Sequence, residues 1–222
     1  MCGRFVGFRS LEELKENFPI DKAACEVTVS YNVAPSQEIL AIVKQAGENW
    51  LDRFHWGLVP FWAKDISIGN KMINARSESI AEKPSFRNAF KKRRCLILAD
   101  GFYEWKGEKG YKQPMFITIP EKKPFAFAGL WETWDKKPDS IYKSCTIITT
   151  QASESFSEIH HRMPVILKPE IYEAWLDPQN NNTDELKDVL KKEIITDLIS
   201  YPVSKQVNSA NNNNPACIEP IA

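Results

Sequence analysis

The sequence predicts an α+β fold in which antiparallel sheets curl into a barrel-like core with peripheral helices. Three observations support this prediction. The middle of the chain is rich in short apolar runs of strand length. Turn signals such as Asp100-Gly101 separate these runs by hairpin-length loops, which favours antiparallel pairing. Helical patterns lie outside this region, where helices would cover the sheets.

The first helix is predicted over residues 10–18. Ser10 and Glu13 have the spacing of a capping box, in which each side chain bonds to the other residue's backbone N–H. Leu11, Leu14 and Phe18 recur at helical spacing and form one apolar face. This segment is therefore expected to be an amphipathic helix.

A second helix is predicted over residues 85–94. Phe86, Ala89 and Phe90 lie on one side of it, and cations from Lys91 to Arg94 lie at its C-terminal end, where they complement the helix dipole. We expect these cations to be solvated. The predicted strands before and after this helix cover residues 39–44, 50–56, 95–99, 102–106, 113–119, 125–134, 144–150 and 164–167.

The last part of the chain is expected to be helical. Pro169 suits the first turn of a helix that continues over residues 171–176. A further helix is predicted over residues 183–198, with a break near its middle. The asparagine tracts 180–182 and 211–214 are expected to be solvated loops. Because no repeat or long linker divides the chain, residues 1–222 are expected to form a single domain.

The charge composition excludes some general modes of binding. The chain carries 29 basic and 29 acidic side chains, so its net charge does not indicate a protein whose whole surface binds nucleic acid or membranes. Any binding of a polyanion must come from a local basic cluster. No apolar run approaches the ~18 residues of a membrane span, and the N-terminus does not have the layout of a signal peptide. We therefore expect a cytoplasmic protein without membrane partners.

The cysteines indicate a reducing compartment. There are five, an odd number, and their spacing does not suggest a disulfide framework. Cys95 and Cys145 lie within apolar runs, so we expect them in the core. A zinc site is not indicated, because the chain has no Cys-x-x-Cys or His-x-x-x-His spacing. We expect no metal and no other cofactor.

Cys2 is the residue with the most distinctive potential chemistry. Because cysteine is small, an aminopeptidase can remove Met1 before it, which leaves an α-amine and a thiol on adjacent carbons. These groups titrate near about pH 8 and about pH 8.5, so both are partly nucleophilic at neutral pH. The nitrogen can form an imine with an aldehyde, and the sulfur can then close a thiazolidine. A retained Met1 would block the amine, and Cys2 alone could also be an arbitrary residue after the start codon.

Three further segments combine unusual polarity with positions near strand ends. Asn74 and Arg76 could face the same way in extended chain, although an asparagine in a turn is the alternative. Glu104 should share a strand face with Phe102, and a carboxylate among aromatic side chains is suited to general acid–base catalysis. A glutamate on the solvent-exposed face of a strand is the alternative. His160 lies two residues before Arg162, so a residue that can transfer protons is close to one that can bind phosphate. A polar loop without such a role is the alternative.

A fourth segment, residues 56–64, is an aromatic loop that ends in Lys64. Aromatic faces beside cations suit single-stranded nucleic acid, since bases stack on the rings while a cation contacts phosphate. Trp62 is the candidate stacking residue. Aromatic side chains packed beneath the loop are the alternative.

Taken together, these segments resemble the SRAP family, the SOS-response-associated peptidase-like proteins that cross-link to abasic sites in DNA. The resemblance extends over nearly the whole chain. Phe61 stands where some members have tryptophan. The matching motifs are Met1-Cys2-Gly3-Arg4-Phe5, Tyr31-Asn32-Val33-Ala34-Pro35, Trp56-Gly57-Leu58-Val59-Pro60-Phe61-Trp62, Asn74-Ala75-Arg76-Ser77-Glu78, Asp100-Gly101-Phe102-Tyr103-Glu104-Trp105, Ala128-Gly129-Leu130-Trp131, His160-His161-Arg162-Met163-Pro164, Pro202-Val203-Ser204 and Val207-Asn208.

The resemblance implies a barrel-like core beneath a basic cleft and a reaction at Cys2. After loss of Met1, Cys2 would react with the ring-opened aldehyde of an abasic site in single-stranded DNA. Asn74, Glu104 and His160 fall on the family's active-site positions. Glu104 would move protons at the amine and the sulfur, His160 would protonate the sugar ring oxygen, and Asn74 would hold the N-terminal residue or the ribose oxygen. His161 is not expected to be catalytic, because its position differs among members.

DNA would be held by arginines and an aromatic side chain. Arg4, Arg76 and Arg162 are expected to contact phosphates, and Trp62 is expected to stack on a base. We expect a monomer, with the replication machinery as a candidate further partner, and weak lyase activity through β-elimination from the imine. Two other functions stay open from the sequence. They are a cysteine-dependent peptidase or hydrolase, which could remove its own Met1, and a non-covalent single-stranded nucleic-acid-binding module.

Overall fold

The computed structural model describes residues 2–108, 110–137 and 140–221. The strands are β1 (Phe5–Gly7), β2 (Lys22–Ala23), β3 (Ser30–Val33), β4 (Glu38–Gln45), β5 (Glu48–Trp56), β6 (Asn74–Arg76), β7 (Arg94–Ala99), β8 (Gly101–Lys106), β9 (Gln113–Thr118), β10 (Phe125–Lys137), β11 (Ser140–Gln151), β12 (Arg162–Pro164), β13 (Ile166–Leu167) and β14 (Ile199–Pro202). The α-helices are α1 (Leu11–Asn17), α2 (Arg87–Lys92), α3 (Glu154–Ser157), α4 (Tyr172–Leu176) and α5 (Thr183–Lys192). Short 3₁₀ turns cover Ile66–Lys71, Pro169–Ile171, Lys205–Asn208 and Pro215–Cys217.

The core of the fold is a closed barrel, which confirms the predicted class. Antiparallel pairing joins β5 to β4, β4 to β7, β7 to β10 and β10 to β11. A parallel contact between β11 and β5, at Ser144–His55 and Cys145–Trp56, closes the ring. Closure pairs strands that would otherwise be exposed edges. Only the β4–β5 and β10–β11 pairs of the barrel join consecutive strands, so the predicted hairpins do not account for the β4–β7 and β7–β10 pairs or for this parallel closure. The Asp100-Gly101 turn does not form a hairpin, because it leads from β7 of the barrel to β8 of a second sheet.

A second sheet covers one end of the barrel and brings in the N-terminal strand. Its strand order is β14-β9-β8-β1-β3. Phe5 of β1 reaches into the barrel, where its ring packs edge-on against Trp56 and Phe127 at centroid distances of 5.2 and 5.9 Å. The barrel interior therefore anchors β1 three residues after Cys2.

Helices pack on the outside of the barrel, as predicted. The capping box at the start of α1 is present, with Ser10 and Glu13 bonding to each other's backbone N–H groups. α5 begins at its N-cap Asn182 and buries Leu186 and Leu190. The predicted helix over residues 183–198 is too long, because α5 ends at Lys192 and the chain continues to β14 instead of resuming as helix after a break near the middle. None of the helices in the described ranges is long and apolar enough to span a membrane.

The predicted strand over residues 164–167 is interrupted at Val165. Met163 and Pro164 pair with β11, whereas Ile166 and Leu167 pair with β10. Val165 makes the crossing, since its N–H donates to Ile148 O and its carbonyl accepts from Ala128 N. The apolar run was correctly predicted to be extended, but its first half pairs with one strand and its second half pairs with another.

The asparagine tracts are not simply solvated, which corrects the prediction. Asn182 caps α5 through its side chain. The Asn213 side chain accepts a hydrogen bond from the Tyr31 N–H at 2.6 Å, and the Asn212 carbonyl accepts one from Asn32. Asparagine can serve turns and caps because its short amide bonds to nearby backbone groups. The second tract thus fastens the C-terminal segment beside β3.

The prediction of a solvated cationic helix end was wrong for Arg94. α2 ends at Lys92, and Arg94 is 2% exposed at the start of β7. Its guanidinium donates to the backbone carbonyls of Trp175, Phe90, Lys91, Asp177 and Asn180. Burial lowers the pKa of Arg94 to about 10. Arg94 therefore ties α2 and the end of α4 to the barrel.

Arg94→Lys should destabilise the fold. A lysine has three donors on one nitrogen and cannot reach carbonyls spread around a planar guanidinium, so buried acceptors would lose their partners. We expect a loss of about 3 kcal/mol in the free energy of unfolding, measured in urea. Lys91→Ala is the control, and as an exposed change it should shift stability by less than about 0.5 kcal/mol. Equal stability of both variants would contradict this role for Arg94.

Candidate active site

Cys2 lies three residues before the start of β1 and is completely buried. The Asn74 side-chain N–H donates to the Cys2 backbone carbonyl at 2.9 Å. β6 presents Asn74 because it pairs in parallel with β11, with Asn74 opposite Ile147. The Asn74 Oδ1 atom is buried and accepts no hydrogen bond from the residues that the structure describes. Asn74 thus binds the Cys2 backbone and keeps one acceptor for another donor.

Glu104 lies on β8, which pairs with β1, and it is 4% exposed. The predicted alternation along β8 is confirmed. Phe102 packs in the same apolar cluster as Cys2, while Tyr103 packs in a separate cluster with Phe116. The pKa of the Cys2 thiol is raised well above its usual range, first by burial and then by the negative charge of Glu104. The carboxylate therefore acts electrostatically on the thiol.

His160 follows α3 and is half-buried. The Arg162 backbone N–H donates to His160 Nδ1 at 2.9 Å. Nδ1 also lies 3.0 Å from the Arg162 carbonyl oxygen, which can only accept, so the Arg162 backbone can hold Nδ1 in either tautomer of the neutral ring. Burial lowers the pKa of His160, although the charge of Glu104 opposes that change. The neutral form of the ring is therefore favoured.

The structure brings Cys2, Asn74, Glu104 and His160 together. Asn74 contacts Cys2 through a hydrogen bond, and the charge of Glu104 acts on both Cys2 and His160. A thiol, a carboxylate and an imidazole in one site can carry out nucleophilic addition with proton transfer. Across the described ranges, no group of three or more His, Cys, Asp or Glu side chains is arranged to hold a metal ion.

The predicted DNA-binding residues have different surroundings. The Arg4 guanidinium donates to Asn32 Oδ1 and Val207 O, both at 2.7 Å, and to Asn208 O at 3.1 Å. Arg76 is exposed at the end of β6, and the Trp62 side chain is 44% exposed. Arg4 is thus partly buried and bonded to oxygens of the protein itself, whereas Arg76 and Trp62 face solvent.

Arg162 makes a bidentate ion pair with Glu78. Its Nη1 and Nη2 atoms lie 2.6 and 3.0 Å from the two carboxylate oxygens, and Nη2 also donates to Thr149 O at 2.8 Å. Together these bonds fix the guanidinium beside the end of β11. Partial burial raises the pKa of Glu78, but its hydrogen bonds with Arg162 and the backbone, together with the positive charges of Arg162 and Arg76, outweigh that effect and lower the pKa.

Sequence reasoning gave no role to Asn32 or Glu78. Asn32 is 1% exposed and links Arg4 to the C-terminal segment, since its amide donates to the carbonyls of Val207, Ser209 and Asn212. Both residues lie within motifs singled out from the sequence. Their partners are distant along the chain, so only the positions, and not the contacts, could be found from the sequence.

Along its length the chain is similar to a known protein family, to named proteins and to proteins of known structure. A family model described as SOS response associated peptidase (SRAP) matches residues 1–210, a range that contains Cys2, Asn74, Glu104 and His160. The abasic site processing protein YoqW of Bacillus subtilis is 47% identical over 222 residues, which cover 99% of each chain. The abasic site processing protein HMCES of Gallus gallus is 36% identical over 201 residues, which cover 79% of this chain and 59% of that protein. A crystal structure of a Bacteroides thetaiotaomicron protein superposes with a TM-score of 0.84 and 25% identity over 100% of both chains.

Proposed function

The chain belongs to the SOS response associated peptidase (SRAP) family, and on this premise we propose that it processes abasic sites in single-stranded DNA through a covalent link to Cys2. The observation that carries the proposal is the burial of Cys2 beside Asn74, Glu104 and His160. The relatives named as abasic site processing proteins supply the substrate class.

The reaction begins once Met1 has been removed and the abasic sugar has opened. The neutral His160 ring accepts the proton that the anomeric hydroxyl releases, and the imidazolium so formed protonates the sugar ring oxygen as the ring C–O bond breaks and the aldehyde forms. The Cys2 α-amine attacks the aldehyde carbon to give a carbinolamine, and loss of one water gives an imine. Asn74 holds the Cys2 carbonyl in place, so the amine approaches from a fixed direction.

The thiol then adds to the same carbon and closes a thiazolidine. The Cys2 S–H bond breaks, a C–S bond forms, and the thiol proton passes by way of Glu104 to the nitrogen that was the imine. A proton acceptor is needed because burial and the charge of Glu104 disfavour a free thiolate. The product shields the lesion. The same imine can undergo β-elimination, so weak lyase activity is part of the proposal.

Intact-protein mass spectrometry after incubation with abasic single-stranded DNA tests the proposal. The protein mass should rise by the mass of the oligonucleotide less one water, and the adduct should survive heat and detergent. DNA with an intact base at the same position is the control. A protein that binds the abasic strand but never changes mass would instead be a non-covalent binding module.

A cysteine peptidase that removes its own Met1 is the second candidate, favoured by the peptidase description of the family model. Amide hydrolysis needs only the thiol, whereas a thiazolidine also needs the α-amine. A preparation that keeps Met1 should therefore lose cross-linking. If that preparation still hydrolyses peptides, the two activities are separate.

Binding should depend on a few local arginines, because the net charge is zero. If Arg4, Arg76 and Arg162 each neutralise one phosphate, log K should fall with log[salt] at a slope of about −2. We expect Arg76→Gln and Arg162→Gln each to flatten the slope by about 0.7 in fluorescence anisotropy titrations.

Lys91→Gln combined with Lys92→Gln is the control for this measurement. These lysines are exposed at the end of α2 and lie outside the matched motifs. They should change the salt slope less than either arginine does. If the lysine pair controlled the slope and the arginines did not, the DNA would run along a different surface.

A further inference from the structure

A groove of about 430 Å³ lies between the end of β11 and the helix α5. Ser77, Thr150 and Gln151 form one wall, and Lys187, Leu190 and Lys191 form the other. Glu78 also lines the groove. None of these side chains belongs to the reaction described above.

The first wall continues directly from the candidate active site. Ser77 follows Arg76 at the end of β6, and its backbone N–H donates to Thr149 O at 2.9 Å. Gln151 pairs with Arg162 across β11 and β12. A ligand that leaves the site past Arg76 and Arg162 would therefore meet a row of hydroxyl and amide groups, which can hydrogen-bond to sugar and phosphate oxygens.

The second wall is basic because of how α5 packs. Leu186 and Leu190 are buried against the barrel, which fixes the rotation of the helix. Lys187 and Lys191 are one turn apart, so they project along the same side. Lys191 is exposed, and Lys187 Nζ lies 3.9 Å from the almost fully exposed carboxylate of Asp184, a contact that is weak in water.

The charge of the groove is positive despite Glu78. The Glu78 carboxylate is neutralised by Arg162, which binds both of its oxygens at 2.6 and 3.0 Å. The two lysines then give the facing wall its positive charge, which the weak, exposed contact of Lys187 with Asp184 reduces little. A positive channel with hydrogen-bonding groups suits a polyanion that follows its length, such as a single nucleic-acid strand.

We propose that this groove binds the sugar–phosphate backbone of the DNA single strand that flanks the lesion on one side, with Lys187 and Lys191 contacting successive phosphates. The inference rests on the proposed function and adds the path of the strand beyond the lesion. The groove would then set how many nucleotides are needed for tight binding. The affinity of the protein would also depend on whether the strand continues on the 5′ or the 3′ side of the lesion.

Binding of one-sided oligonucleotides tests this path. The probes are a trinucleotide with a central tetrahydrofuran analogue of the abasic site, and the same trinucleotide extended by five nucleotides on its 5′ or its 3′ side. Because the analogue lacks an aldehyde, anisotropy reports affinity without a covalent step. The parent protein should gain affinity from extension on one side only. K187Q/K191Q should lose that gain and flatten the salt slope for the extended probe by about 1.4, or about 0.7 for each phosphate.

K91Q/K92Q is the matched control, since it removes the same charge from another helix. It should keep the one-sided gain. The proposal is overturned if K187Q/K191Q also keeps the gain, if the parent shows no gain from either extension, or if K91Q/K92Q loses the gain instead. Failure of the proposed function would look different. The aldehyde-containing trinucleotide would then give no adduct with the parent protein, whatever the inert probes show.

Discussion

We expect Cys2→Ala protein to form no heat- and detergent-stable adduct with abasic single-stranded DNA, whereas the parent protein without Met1 forms one. Alanine keeps the α-amine but removes the sulfur, so the imine can form and cannot close to a thiazolidine. Cys2→Ser should likewise form no thiazolidine. Borohydride reduction should trap the imine of either variant as a secondary amine. Denaturing gels and intact mass, with and without borohydride, measure these outcomes.

Cys25→Ser is the matched control for this experiment. Cys25 is a half-buried thiol outside the candidate site, so this variant should form adduct at the parent's rate. It also shows whether another thiol contributes to cross-linking. A stable adduct of unchanged yield from Cys2→Ala would remove Cys2 from the reaction.

Glu104→Gln and His160→Ala should each slow adduct formation by roughly 10²–10⁴-fold if each residue transfers protons. Glutamine keeps the shape of Glu104 but cannot accept a proton. The charge of Glu104 raises the pKa of the Cys2 thiol, so its removal should lower that pKa and favour the thiolate. If the carboxylate only repelled the thiolate, Glu104→Gln would speed the reaction. Slower adduct formation at saturating DNA would therefore identify Glu104 as a proton carrier.

The controls for these variants are Glu158→Gln and His161→Ala. Both residues are exposed and close in sequence to His160, and His161 stacks on His160 at a centroid distance of 4.3 Å. They should leave the rate within a few-fold of the parent. Affinity for the inert tetrahydrofuran analogue should also change far less than the rate. Equal losses of affinity and rate would make Glu104 and His160 positioning residues.

Local patterns explain which parts of the fold could be predicted. The capping box of Ser10 and Glu13 involves neighbouring residues, so its spacing alone identifies the helix start. The alternation of Phe102 and Tyr103 follows from the pleat of a strand, and it correctly places Glu104 on the side of Cys2. Cys2 was singled out by its place after Met1, and Asn74, Glu104 and His160 were singled out by the short polar segments in which they lie. The structure places these four residues near one another.

Contacts between distant parts of the chain could not be predicted in the same way. Closure of the barrel needs β5 to meet β11 in parallel, and no turn signal joins those strands. Arg94 follows three other cations, so its sequence context resembles a solvated helix end, and only the approach of α4 explains its burial. The identity of an arginine does not show whether it binds a phosphate, a carbonyl or a carboxylate.

The contacts of Arg4 and Asn32 with residues 207 and 208 join segments that lie far apart along the chain. Arg4 lies two residues after the proposed nucleophile, yet its guanidinium bonds to Val207 and Asn208, and Asn32 bonds to the same segment. A ribosome-bound chain that has not yet released residue 207 cannot form this arrangement. Cys2 would therefore be exposed early in synthesis, but it would reach its final position beside Asn74 and Glu104 only after residue 208 has left the ribosome. Folding of this late segment would act as a timing control on the chemistry of Cys2.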